Sequence, residues 1–161
     1  MYTIRNTTIE DLDELRRIFH IAREQMKADG NPDQWKDDRP DEELVLKDIA
    51  EGNSYVVEDD GKIIGTFAFI IGTDPTYIEI DGSWLNDKEY GTIHRIASDG
   101  SIKGLFKTVL DYVCSFGADI RIDTHEKNTR MLHLLEKNGF IRCGIIITDD
   151  GTERIAFQKI V

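Results

Sequence analysis

Two kinds of hydrophobic periodicity take turns along the whole chain, and their order is what most limits the folds open to it. Tyr2-Thr3-Ile4-Arg5 alternates apolar and polar residues, as a half-buried strand does. Leu12, Leu15, Ile18, Phe19 and Ala22 then recur at helical spacing behind a capping Thr8. The stretch Asp29–Trp35 breaks that helix, and Pro40 precedes a second one with Leu44, Leu46, Ile49 and Ala50 on its apolar side. Ser54–Glu58 and Ile63–Ile71 read as strands joined by the turn Asp59-Asp60-Gly61-Lys62, and Tyr90–Ser98 reads as another strand. Asp74-Pro75 opens a loop, and no period is clear from Tyr77 to Asp87. A helix over Ser101–Phe116, a strand around Ile120 and Ile122, a helix from Lys127 to about Asn138, and strands at Ile141–Thr148 and Ile155–Val161 complete the series. Without linker or repeat, this order predicts one mixed α/β domain over residues 1–161.

Charge narrows the partners. Twenty Lys and Arg against thirty-one Asp and Glu give a formal charge of −11. A field of that sign repels a phosphate backbone or an anionic membrane and attracts a small cation. The apolar run within Ile63–Ile71 is too short to span a bilayer, and the N-terminus does not read as a leader. Cys114 and Cys143, isolated in the sequence, read as buried small hydrophobes in a reducing cytoplasm. No ligand spacing suggests a metal, and no nucleophile elbow or Ser-His-Asp set is present.

Two segments carry the chemistry. In His94-Arg95-Ile96-Ala97-Ser98-Asp99-Gly100-Ser101-Ile102-Lys103-Gly104-Leu105-Phe106 a strand passes through a polar turn into a helix beginning near Lys103. First-turn amides and the helix dipole make an anion site, and Gly104 permits close approach. Taken alone, a plain capped connection is the favoured reading. The second segment, Ile122 to Phe140, places Asn128 after a strand and before a helix that ends in Glu136-Lys137-Asn138-Gly139-Phe140. With these motifs and this element order the chain resembles the GNAT superfamily of N-acetyltransferases, which use acetyl-coenzyme A. It departs from the family pattern at Ser101 (usually Arg or Gln), at Phe106 (usually Gly or Ala) and at Leu135, where many members carry a thiolate-protonating Tyr.

The resemblance implies an acyl-CoA N-acyltransferase fold: a mixed, mainly antiparallel sheet, V-split in its middle, with helices on both faces. It implies that backbone groups of Ile96, Ala97 and Ser98 hold the pantetheine arm. Amides of Ser101, Ile102, Lys103, Gly104, Leu105 and Phe106 take the pyrophosphate, and Asn128 bonds the pantetheine from the other side. Asn128 also reads as a helix N-cap. An alkylamine acceptor with a pKa near 10 needs a base. His94 and Asp123 rank equal for that role, with Arg95 or Arg121 as alternative partners for Asp123. His125 is expected to face away from His94. Trp35 and Trp84 line an acceptor pocket or plug the core, the plug being favoured for Trp84; Glu79 and Asp81 orient an ammonium or are plain solvated residues.

The implied reaction is direct transfer from acetyl-CoA to a primary amine, a small cation being favoured. No enzyme-bound intermediate is expected, because neither cysteine has an activating neighbour in sequence. A catalytically degenerate acyl-CoA-binding or interaction module is the rival reading. Neither metal nor nucleic acid is expected as partner, and a homodimer is left open.

Overall fold

The computed structural model describes residues 2–36 and 39–161. Its elements in chain order are β1 (Tyr2–Asn6), α1 (Leu12–Ala28), α2 (Glu42–Ala50), β2 (Ser54–Asp59), β3 (Lys62–Ile71), β4 (Asp81–Gly82), β5 (Tyr90–Ser98), α3 (Leu105–Cys114), β6 (Asp119–Thr124), α4 (Thr129–Lys137), β7 (Ile141–Ile147) and β8 (Glu153–Lys159). Short 3-10 turns lie at Ile9–Asp11 and Pro75–Tyr77. The strands form one sheet in the order β1-β2-β3-β5-β6-β8-β7-β4. Every pairing is antiparallel except β5 with β6.

That parallel pair sets the architecture. It is in register only at Tyr90↔Asp119, Gly91↔Ile120 and Thr92↔Arg121. Beyond Thr92 the two strands part, β5 following β3 to Ser98 and β6 following β8 to Thr124. The sheet is therefore split in its middle. Leu15, Ile18 and Phe19 of α1 and Val45 of α2 pack on Val56, Ile63 and Ala97 on one face. The apolar side of α3, with Leu135 of α4, packs on Val57, Phe67, Ile93 and Ile122 on the other. α3 approaches β3 so closely that a Cβ on Gly65 would lie 2.8 Å from Leu105 Cδ1.

A bulge interrupts β5. Thr66 pairs with Ala97 and Ala68 with His94, so Arg95 and Ile96 together oppose Phe67 alone. Arg95 takes the extra turn, at φ 51°. The insertion breaks the simple alternation expected for Tyr90–Ser98. His94 and Ala97 fall on the same face, because Thr66 and Ala68 do. Arg95 then reaches Asp48 of α2 through two hydrogen bonds of 2.6 and 2.9 Å.

That pair also sets the phase of α2. Val45 and Asp48 turn inward while Leu46 and Ala50 face solvent, the reverse of the expectation for the last two. The helix expected over Ser101–Phe116 is shorter, spanning Leu105–Cys114. Gly104 adopts a left-handed conformation at φ 81°, which no residue inside an α-helix can hold. Before it, Ser98 Oγ accepts from the Gly100 amide and Asp99 Oδ1 from the Ser101 amide, a local turn that replaces helix.

Because Asp48 is 4% exposed, Asp48→Ala strands the Arg95 guanidinium in the fold. The substitution is expected to lower unfolding free energy by about 3 kcal/mol in urea titration, well beyond a surface ion pair.

Candidate active site

The parting of β5 and β6 opens a cavity of about 530 Å³. His94 and Ile96 line it from β5, Ile122, Asp123 and Thr124 from β6, and Asn128 and Met131 from the start of α4. Gln34 and Trp35, from the segment after α1, lie over it. The Asp74–Thr76 turn and the β7–β8 turn at Thr148–Asp150 complete its wall. Of the residues anticipated from sequence, the fold thus brings together His94, Asp123, Ile96 and Asn128.

His94 Nε2 lies 2.7 Å from Asp74 Oδ2. Burial opposes ionisation of Asp74, but the hydrogen bond and charge of His94, with the hydroxyl and amide of Thr76, outweigh it and hold the carboxyl at about 2. Asp123 behaves oppositely. Its carboxyl opens only partly to the cavity, and burial raises its proton affinity despite the opposing influence of His94 and a hydrogen bond from Tyr77. The Tyr77 hydroxyl donates to Asp123 Oδ2 at 2.7 Å. Burial also keeps that phenol protonated, its pKa being well above the ordinary value. Neither arginine expected beside Asp123 bonds it. Arg95 is bound to Asp48, and Arg121 is stacked 3.9 Å from the Tyr90 ring and 4.1 Å from the Trp84 ring.

Asn128 caps α4, its side-chain oxygen accepting from the Met131 amide at 3.1 Å. Its Nδ2 donates to Gln34 Oε1 at 3.0 Å. That same Gln34 oxygen accepts from Asn31, Thr124 and the His125 amide, drawing the 31–36 segment over the cavity mouth. His125 lies outside the cavity lining, where the Lys127 amide donates to its Nδ1.

The turn from Ser98 to Phe106 stands at the other end of the gap. Ala97 is buried and Ser98 half-buried. The Ser101 amide, expected to be an anion donor, is already bonded to Asp99, whose charge faces Arg17 at 3.4 Å. The Ile102, Lys103 and Gly104 amides have no protein acceptor among the described residues, and those of Leu105 and Phe106 belong to the first turn of α3. Nothing lies within 4 Å of the position a Cβ would take on Gly104. Lys103 is exposed and has no ion-pair partner among the described residues. Phe106 is 4% exposed and packs on Phe140 inside the core, so its ring does not crowd the turn.

The GNAT acetyltransferase family model matches residues 13–140. The chain belongs to this family. A GNAT-family acetyltransferase of Streptococcus agalactiae is 34% identical, with 99% of this chain and 95% of that one covered at a TM-score of 0.88. A GNAT-family acetyltransferase of Bacillus cereus is 25% identical, with 99% and 97% covered at 0.61. The PaiA N-acetyltransferase of Thermoplasma acidophilum, solved with coenzyme A, shares 18% identity and the fold, with 100% and 99% covered at 0.67. No curated protein sequence matches the chain.

Within this GNAT fold, Leu135 is completely buried in the core, so the position offers no group to a reacting sulfur. Trp84 packs on Tyr77 outside the cavity, as the plug reading expected. Glu79 and Asp81 are exposed and absent from the lining, and the acidic lining comes instead from Asp41, Asp74, Asp123, Asp149 and Asp150. Asp74 and Tyr77 escaped the sequence reading. Asp74-Pro75 signals a capped turn, but nothing local says which side chains that turn meets.

Asp74 is ionised more readily in the folded chain than in the unfolded one, where its carboxyl returns to about 3.8. Its contribution to stability is therefore complete above about pH 4 and is lost as pH falls toward 2. Asp74→Asn is expected to cost roughly 2 kcal/mol near neutral pH, the gap to wild type closing between about pH 4 and pH 2 in chemical denaturation.

Proposed function

We propose that this GNAT-family protein transfers an acetyl group from acetyl-CoA to the primary amine of a small cationic acceptor. The observation that carries the reading is the gap beyond Thr92↔Arg121, walled by His94 on β5 and Asp123 on β6. An extended ligand can lie along the freed edge of β5 there, held by backbone groups of Ile96, Ala97 and Ser98. The residues present fit the donor. Amides at Ile102, Lys103 and Gly104 that are unpartnered among the described residues, open space above Gly104 and the Lys103 ammonium suit a diphosphate, with Leu105 and Phe106 contributing first-turn amides. Asn128 serves the pantetheine by exchanging its Gln34 partner for a ligand carbonyl. Acetyl-CoA supplies an activated thioester.

The acceptor end is acidic. Asp41, Asp123, Asp149 and Asp150 face the cavity, and its arginines are engaged: Arg95 with Asp48, Arg39 with Asp149 at 3.7 Å, and Arg154 with Thr152 and the Gln34 carbonyl. This field favours an ammonium over an anionic acceptor. One group must take a proton before nitrogen can attack. The transfer needs no covalent enzyme intermediate, since burial raises the pKa of both Cys114 and Cys143 and keeps them as thiols.

The buried Leu135 favours the rival reading, a binding module without turnover. Calorimetry with coenzyme A and thiol release with acetyl-CoA over an amine panel separate the two. Coenzyme A is expected to bind, with Lys103→Ala weakening it roughly fivefold. Loss of the base, His94→Ala or Asp123→Ala, is expected to lower turnover about a hundredfold. Binding without turnover on any amine establishes the module, and absence of binding defeats both readings.

A further inference from the structure

We infer that His94 is the proton acceptor and that Asp74 is a positioning residue holding it in the reactive tautomer, with Asp123 orienting the acceptor's ammonium. The inference rests on the acyl-transfer reading and divides its two candidate bases.

Residues 74–77 form one capped 3-10 turn: Asp74 Oδ1 accepts from the Thr76 amide at 2.9 Å and from the Thr76 hydroxyl at 2.7 Å. The Tyr90 hydroxyl accepts from the Asp74 amide at 2.8 Å, tying the turn to the start of β5. With Oδ1 and the backbone so fixed, Oδ2 is aimed at His94 Nε2. A carboxylate accepts only, so Nε2 carries the hydrogen and Nδ1 keeps its lone pair. No protein donor or acceptor engages Nδ1 among the described residues. Asp74 also stabilises the imidazolium that proton transfer creates.

Three residues on, the same turn aims Tyr77 at Asp123. The phenol stays protonated, so it occupies part of the Asp123 carboxylate with a permanent donor. Oδ1, which no protein group engages among the described residues, is the acceptor for an ammonium hydrogen in a residue that lines the cavity. The groups facing His94 are thus Asp74 and the Tyr77 ring from the turn and Asp123 from β6. Arg154 and Asp150 lie further round the cavity wall, and Arg95, next in sequence, is directed to Asp48.

The protons balance. The acceptor ammonium gives one proton to Nδ1, which passes it to solvent. The neutral nitrogen forms the C–N bond, the C–S bond breaks, and nitrogen's second proton ends on the departing sulfur.

Asp74→Asn retains the Oδ1 acceptor for Thr76 and removes the anion behind the imidazole. We expect kcat to fall at least tenfold, the acidic limb of the kcat/KM profile to move to lower pH, and coenzyme A affinity to stay within about twofold. In a His94→Ala background the same change is expected to add nothing, as for residues acting as one unit. Asp123→Asn is expected to raise the KM for the amine more than it lowers kcat. An unmoved acidic limb, or effects of Asp74 and His94 that multiply, overturns the inference while intact coenzyme A binding leaves the acyl-transfer reading standing. Should Asp74→Asn fail to fold, nitrogen NMR of the wild type decides: protonated Nε2 supports the assignment, and protonated Nδ1 with bare Nε2 defeats it.

Discussion

Three residue pairs of parallel sheet, and the absence of a fourth, govern this molecule. Between Tyr90↔Asp119 and Thr92↔Arg121 the two halves of the sheet are stitched together, and beyond them each strand keeps only its outer neighbour. An edge inside a protein carries unpaired backbone donors and acceptors, which are costly unless water or a ligand meets them. Beyond the third pair, β5 and β6 border the cavity. The bulge at Arg95 and Ile96 helps keep the strands apart, since it bends β5 and places two residues opposite one. A non-glycine residue at φ 51° is strained, and the Asp48 carboxylate on α2 compensates by fixing the guanidinium from above. The cleft, its bulge and the helix over it are consequently one mechanical unit.

Although the net charge is −11, the charges are distributed unevenly around the gap. Around the turn before α3 the local field is set by unpartnered amides, the exposed Lys103 and the first turn of the helix. Asp99, the one acid inside that turn, is held below its usual carboxylate range: burial works against ionisation, but the Ser101 donors and Arg17 prevail. At the opposite end five acids face three arginines, of which Arg95 is committed to Asp48 outside the lining, while Arg39 pairs with Asp149 and Arg154 lies 3.9 Å from Asp150. The overall charge describes the second region well and the first not at all.

Local periodicity made most of the fold legible. β5 has the bounds its Thr, Ile and Ala content suggested, and the α1 stripe of Leu15, Ile18 and Phe19 is the one buried. Asn128 caps α4 because a side-chain oxygen three residues before a free amide is a local relation. The failures were tertiary. Nothing near Arg95 in sequence announces a bulge, for the acid that fixes it lies forty-seven residues away in α2. The inward phase of α2 follows from that same contact, against its own apolar pattern. Within the site, His94 and Asp123 stood out as titratable residues, one on the strand Tyr90–Ser98 and the other at the end of the next. Asp74 and Tyr77 did not, because their chemistry comes from partners twenty and forty-six residues distant.

The environments of Asp74 and Asp123 also bear on the missing phenol at Leu135. A thiolate is a competent leaving group, its conjugate acid lying near pKa 8.5, whereas an alkylammonium near 10.4 has to lose a proton before it can attack. The harder demand is for a base. Beside His94 stand two carboxyls whose proton affinities are driven apart, one down to about 2 by His94 and Thr76 and the other up by burial. Asp74 therefore stays an anion beside the His94 imidazole. A core leucine at position 135 is compatible with this arrangement: its side chain fills the space beneath α4, while His94, Asp74 and Asp123 are gathered on the opposite face of the sheet.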